Sequence, residues 1–151
     1  MTTLNVLAIC GSLRRASTNM GLLRYAQAHA PEGMVIEIAD LLDVPFYNAD
    51  IPSKPASVVR LLAQFQQADA LLFGCPEYNY SLAPALKNAL DWVSREPDNR
   101  LLSGKAAAIM GAGGGMGTSR AQYHLRQVGV FLDLRFVNKP EVFCNAFTGA
   151  F

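Results

Sequence analysis

LNVLAIC, residues 4–10, runs directly into GSLRRASTN, residues 11–19, and this junction decides the fold. The first seven residues form an apolar, β-branched run of strand length. The next nine hold a glycine for a tight turn, two arginines and four short polar side chains that can start a helix. Thr18 to Ala30 then carries Met20, Leu23 and Ala26 at helical spacing, with Leu22 and Tyr25 alongside, and Pro31, Glu32 and Gly33 end it. A strand that turns through glycine and polar residues into a helix is the opening unit of a parallel α/β sheet.

The same alternation continues along the chain. Met34 to Ala39 reads as a second strand, and the charge of Glu37 in its middle suits a sheet edge. Asp43 to Pro55, with three prolines, is a loop, and Ala56 to Gln67 is a helix with Val59, Leu62 and Phe65 on one side. Ala70 to Cys75 is short and almost wholly apolar, as a central parallel strand should be. Leu82 to Val93 is expected as the next helix, with Pro84 tolerable near its first turn. Ala106 to Ala112 supplies a fourth strand. A glycine cluster follows, then a helix from about Thr118 to Val130 and a final strand within Arg135 to Cys144 that Pro140 interrupts. Five strands linked by short helical crossovers predict a doubly wound parallel sheet with helices on both faces, in one domain spanning residues 1–151. The chain stops just after its fifth strand, where such a fold would place one more helix, so the last helix is expected to be missing.

Composition narrows the class. Of 151 residues, 51% are hydrophobic and 17% charged, which is globular rather than disordered, and a net charge of +1 offers no basic stripe for nucleic acid. No apolar run approaches the roughly 20 residues of a membrane span. Met1 to Cys10 enters its strand with no basic prefix, from which a cytoplasmic location is expected. Three cysteines without C-x-x-C spacing and two distant histidines argue against a disulfide framework and against a metal site.

In open parallel sheets, ligands bind beyond the carboxyl ends of the strands. Three loops fall there. In the first, Ser12, Ser17, Thr18 and Asn19 can bond phosphate oxygens, Arg14 brings a forked cation, and the helix start adds free N–H groups. The blander alternative is a helix cap, Ser17 or Thr18, beside two solvated arginines. The spacing is neither G-x-x-x-x-G-K-[ST] nor G-x-G-x-x-G, and the later cluster Gly111 to Gly117 also misses the second pattern, so neither a nucleoside triphosphate nor a Rossmann-bound dinucleotide is expected. The second loop, Pro76-Glu77-Tyr78-Asn79-Tyr80-Ser81, can present N–H groups and an aromatic surface to a planar heterocycle, or be an ordinary turn capped by Ser81. The third, Gly111 to Arg120, lets backbone approach a ring edge closely, or is simply a flexible turn. Together the three fit a flavin mononucleotide lying across one sheet edge.

Here a resemblance becomes specific. G-S-L-R-x-x-S-x-N at Gly11 to Asn19 and P-E-Y-N-x-S-x-x-P-A-L-K-N-A-L-D-W at Pro76 to Trp92, with R-A-Q-Y-H-L-R-Q at Arg120 to Gln127, resemble the NADPH-dependent FMN reductase family. That family includes quinone, chromate and azo-dye reductases. The resemblance implies a flavodoxin-like three-layer α/β/α fold with strand order 2-1-3-4-5. It implies that Ser12, Arg14, Ser17 and Asn19 hold the FMN phosphate, with Thr18 beside them. Pro76, Glu77, Tyr78 and Asn79 would flank the isoalloxazine ring, and Gly113 would lie near its pyrimidine end. Lys87, Asn88, Asp91 and Trp92 read as structural or interface residues more readily than as catalytic ones. Arg120, Tyr123 and Glu141 read as intersubunit contacts of a homodimer or homotetramer. The implied activity is ping-pong hydride transfer from NADPH or NADH through FMN to quinones or other small oxidants, with the chemistry carried by the flavin rather than by a catalytic side chain. A flavodoxin-type FMN electron carrier is the alternative, and the lack of net acidity counts against it.

Overall fold

The computed structural model describes residues 3–149. What the sequence suggests of Met1, Thr2 and the last two residues lies outside them. In chain order the elements are β1 (Leu4–Cys10), α1 (Thr18–Ala28), β2 (Met34–Ile38), α2 (Ala56–Gln67), β3 (Ala70–Gly74), β4 (Glu77–Tyr78), β5 (Ser81–Leu82), α3 (Pro84–Val93), a 3-10 turn (Pro97–Asn99), β6 (Ala106–Gly113), α4 (Ser119–Phe131), β7 (Arg135–Phe136) and β8 (Val142–Asn145).

The main sheet runs β2-β1-β3-β6-β7, all parallel, and β8 also pairs with β6. The five-position order expected from the sequence is therefore present in a flavodoxin-like arrangement. Its fifth position is shared by two short pieces: β7 pairs with Ala106 and Ala107, and β8 with Met110 to Gly113. Pro140 sits in the break between them, where a residue without an N–H cannot extend the ladder. Glu37 is exposed on the edge strand β2, as its charge requires.

Period-two alternation sorts the strands between two layers. Leu7 and Ile9 of β1, Leu71 and Phe73 of β3, and Ala107 and Ile109 of β6 face α2, α3 and α4, where they pack with Leu61, Phe65, Leu86, Leu90 and Leu125. The intervening residues Val6, Ala8 and Cys10, with Ile36 and Leu72, pack on Leu23 of α1. Burying both faces explains why β1 and β3 read as continuous apolar runs.

Two boundaries differ from the sequence reading in ways that matter for the site. Helix α3 begins at Pro84 rather than Leu82, because Ser81 and Leu82 pair with Glu77 and Tyr78 in a small antiparallel hairpin. Its two turn residues, Asn79 and Tyr80, both have positive φ (50° and 66°), the requirement of a type I′ turn. Tyr80 is an uncommon residue for that conformation, and its ring is covered by the Arg120 guanidinium, 3.7 Å from the centroid. The loop after β2 is held down from α3: Asn88 donates to the Pro45 carbonyl at 2.9 Å and accepts from Tyr47 N–H at 2.8 Å, and the Trp92 indole N–H donates to the same carbonyl at 2.8 Å. Asn88 and Trp92 thus fasten this loop to α3.

Candidate functional site

The first, second and third loops leave the carboxyl ends of β1, β3 and β6, which are adjacent in the sheet. Side chains then tie each loop to another. Asn19, in the first turn of α1, donates its amide to the Ala112 carbonyl and accepts from the Ala112 N–H, both at 2.9 Å and buried. The Tyr78 hydroxyl reaches Ser12 Oγ at 3.4 Å, bringing the second loop over the first. Glu77 reaches the start of α4, pairing with Arg120 at 2.5 Å and accepting the Ala121 N–H at 3.2 Å. A carboxylate at a helix N-terminus satisfies an orphan donor and complements the dipole. Thr118, the residue before α4, makes no side-chain cap of its own.

Thr118 is instead fully buried against Gly111. A Cβ on Gly111 would lie 1.8 Å from Thr118 Oγ1 and 2.7 Å from the Cys75 carbonyl, so strand, loop and helix can close only on a glycine. At Gly113 the same space is filled by the Gly117 carbonyl, 2.2 Å from where a Cβ would stand. The third loop is therefore a close-packed turn, with Gly117 N–H bonded to the Gly114 carbonyl at 2.8 Å.

What remains unpaired is informative. Among the described residues, the backbone N–H groups of Ser17, Thr18 and Asn19 have no partner, although Ser17 Oγ caps α1 by accepting from Met20 N–H at 3.2 Å. Ser12 is buried beneath this turn and Arg14 is exposed above it. The N–H groups of Asn79 and Tyr80 at the hairpin tip, and of Gly115 and Met116 at the third loop's tip, are likewise free among the described residues. One sheet edge thus presents three clusters of N–H donors, the first at the positive end of an eleven-residue helix.

Each residue named from the sequence has a definite place. Ser12, Arg14, Ser17 and Thr18 line the first loop, Pro76 is buried behind the hairpin, and Tyr78 and Asn79 stand exposed on it. Two assignments change. The Asn19 carboxamide is spent on Ala112, so only its N–H faces the loop, and the Glu77 carboxylate is turned away to Arg120 and Ala121. Thr118 and Gln122 were missed: Gln122, 1% exposed, donates to Thr118 Oγ1 at 3.1 Å and to the Val142 carbonyl at 2.9 Å, fastening β8 to the third loop. Beside the hairpin, an apolar cavity of about 490 Å³ is walled by Leu13, Arg14, Leu42, Phe46, Tyr78 and Ala85.

The family described as NADPH-dependent FMN reductase matches residues 4–149 of this chain, nearly its whole described length. The chain belongs to the NADPH-dependent FMN reductase family. It is an NAD(P)H-dependent FMN enzyme with a flavodoxin-like fold. The reductase is 52% identical to the NAD(P)H-dependent FMN reductase of Pseudomonas aeruginosa, covering 98% of this chain and 81% of that one. It is 49% identical to the NAD(P)H:quinone oxidoreductase of Solanum tuberosum, covering 95% and 76%. Among solved structures, the flavoenzyme NAD(P)H:(acceptor) oxidoreductase FerB of Paracoccus denitrificans superposes with a TM-score of 0.91 at 31% identity, over 99% of this chain and 83% of that one. No helix among the described residues is long and apolar enough to cross a membrane.

Proposed function

We propose that this reductase passes hydride equivalents from NAD(P)H through FMN to quinones and other small planar oxidants in a ping-pong cycle, as a single-domain cytoplasmic homodimer or homotetramer. The observation that carries the reading is the convergence of three tied loops whose tip N–H groups are left free at one sheet edge.

The residues fit FMN. Its phosphate would be held by the free N–H groups of Ser17, Thr18 and Asn19, the Ser12 hydroxyl and Arg14, each charge-assisted bond contributing about 1.5–3 kcal/mol. The Asn79 and Tyr80 N–H groups and those near Gly113 would face the edges of the ring, where donors stabilise developing negative charge in a preorganised way. When bound, the flavin accepts two electrons as hydride and returns them, with a proton, to an oxidant such as a quinone, giving the hydroquinone. The protein's own task is placement. Glu77, fixed by Arg120, sets the hairpin; Asn19 sets the spacing between phosphate and ring; Tyr78 and the apolar cavity beside it exclude water and receive a planar reactant. A single slot shared in turn by nicotinamide and oxidant supports the ping-pong order.

The test is a spectrum followed by turnover. Purified protein mixed with FMN and desalted should retain a flavin absorbance band and should oxidise NADPH or NADH with a benzoquinone acceptor, giving parallel double-reciprocal lines. Retained flavin without turnover would instead assign an electron carrier.

A further inference from the structure

The hairpin that carries the Asn79 and Tyr80 N–H groups is too small to hold its own shape. Its ladder consists of the pairs Glu77 with Leu82 and Tyr78 with Ser81, and neither turn residue is a glycine although both have positive φ. A hairpin of this size is marginal at best in water, so its geometry is imposed from outside. Strand β4 is held by the Arg120 pair with Glu77 and by the Tyr78 hydroxyl at Ser12 Oγ, and the turn by the Arg120 guanidinium over Tyr80. Strand β5 packs Leu82 against the core. Its polar tie is Ser81. That hydroxyl does not cap α3, whose N-cap is Ala83 with no side-chain bond. It meets Nδ1 of His124 at 3.0 Å instead. Among the described residues this is the one hydrogen bond that either side chain makes. Arg120 and His124 lie one turn apart on the same face of α4. Ala121 and Leu125 beside them are fully buried, and Gln122 fastens the helix to Thr118 and to β8. Helix α4 is thus a fixed plate that grips both strands of the hairpin and carries the third loop at its start. A serine hydroxyl suits such a tie, because it can donate to a bare imidazole nitrogen or accept from an N–H.

We propose that His124, acting through Ser81, is a positioning residue for flavin reduction: it fixes β5, and with it the direction in which the Asn79 and Tyr80 N–H groups point at the flavin ring. The proposal rests on the flavin placement given above. Donors of this kind stabilise the negative charge that the ring gains with the hydride only where they are aimed before the reaction. Small misplacements of positioned groups are costly in rate. The FMN phosphate is held by a different loop, so the tie governs the rate of reduction rather than the affinity for the cofactor.

The experiment is a double-mutant cycle of Ser81→Ala and His124→Ala. His124→Asn serves as the conservative variant, because its carboxamide places a donor or acceptor near the Nδ1 position. Three quantities are read: FMN affinity by titration, amide exchange of the peptide 77–82 in flavin-free protein by deuterium mass spectrometry, and flavin bleaching at saturating NADPH by stopped flow. Each alanine variant should speed exchange by at least about threefold and slow bleaching by about fivefold or more. The double variant should add little to either single one, and FMN affinity should stay within about twofold of wild type. His124→Asn should return exchange and bleaching toward wild type. Faster exchange with an unchanged bleaching rate would make the bond a structural contact alone and overturn the proposal. So would slower bleaching with unchanged exchange, or single-variant effects that multiply in the double variant. Failure of the flavin reading would show separately, as no FMN uptake by wild type; the exchange cycle on flavin-free protein would still decide whether the bond holds the hairpin.

Discussion

Asn19 and Ala112, 93 residues apart, exchange two buried hydrogen bonds of 2.9 Å, so one side chain fixes the distance between the first turn of α1 and the end of β6. In the proposed site that distance separates the phosphate anchor from the ring-facing turn. Asn19→Ala leaves both Ala112 groups without partners inside the protein, at a cost of about 1–3 kcal/mol for a buried unsatisfied group. Chemical denaturation should show this loss, and FMN affinity should fall with it. Unchanged stability would mean that water takes over both bonds.

A paired glycine experiment isolates the close packing of the third loop. Gly111→Ala places a methyl group where Thr118 Oγ1 and the Cys75 carbonyl already stand, whereas a Cβ on Gly115 meets nothing within 4 Å. Gly111→Ala should destabilise the fold by about 1–3 kcal/mol or more, and Gly115→Ala should leave the thermal midpoint within a degree or two of wild type. Similar midpoints for the two variants would contradict the described packing.

The buried thiols should be inert. Burial, then the nearby Glu77 charge and Cys10, push the Cys75 thiol up to about 12, and burial also raises Cys10. At pH 8 neither holds an appreciable thiolate fraction, while Cys144 is only partly buried. Alkylation mapped by mass spectrometry should therefore modify Cys144 first. Prompt labelling of Cys75 in the native protein would refute its environment as described.

Glu96 couples stability to acid. Its carboxylate is held below the usual range by hydrogen bonding to Lys54, with Arg100 adding a second bond and charge, and its side chain is only 9% exposed. A depressed folded value means that its contribution is present above the unfolded carboxyl value of about 4.3 and is lost as pH falls through the folded one. Urea midpoints should drop below about pH 4.3, and Glu96→Gln should be less stable at neutral pH with a shallower acid limb. A variant that tracks wild type at every pH would remove Glu96 from the account.

How much of this was legible beforehand follows from the range of each interaction. β1, β3 and β6 announce themselves because both faces are buried along most of their length and, Asn5 apart, every residue is apolar or small. The strand-to-helix turn of the first loop was readable because Gly11 and the Ser17 cap of α1 lie within one short stretch. The hairpin was not, since a two-residue strand has no periodicity and an Asn-Tyr turn lacks the glycine that normally marks type I′. Its second turn residue is supported by Arg120, from another part of the chain. For the same reason the sequence placed Asn19 and Glu77 among ligand-facing groups, whereas their side chains are taken by Ala112 and by Arg120 with Ala121. Short polar residues in a loop look alike in sequence whether they bind a ligand or bind the next loop.

The central claim is that the first loop anchors a flavin through its phosphate. It is tested most directly by comparing FMN with riboflavin, which has the same ring and no phosphate, in a fluorescence-quenching titration. Two or more charge-assisted bonds to Arg14 and the α1 N-terminus predict FMN binding tighter by at least about 100-fold. Arg14→Ala should narrow that gap by about tenfold or more without changing riboflavin binding. Equal affinity for FMN and riboflavin would contradict the account.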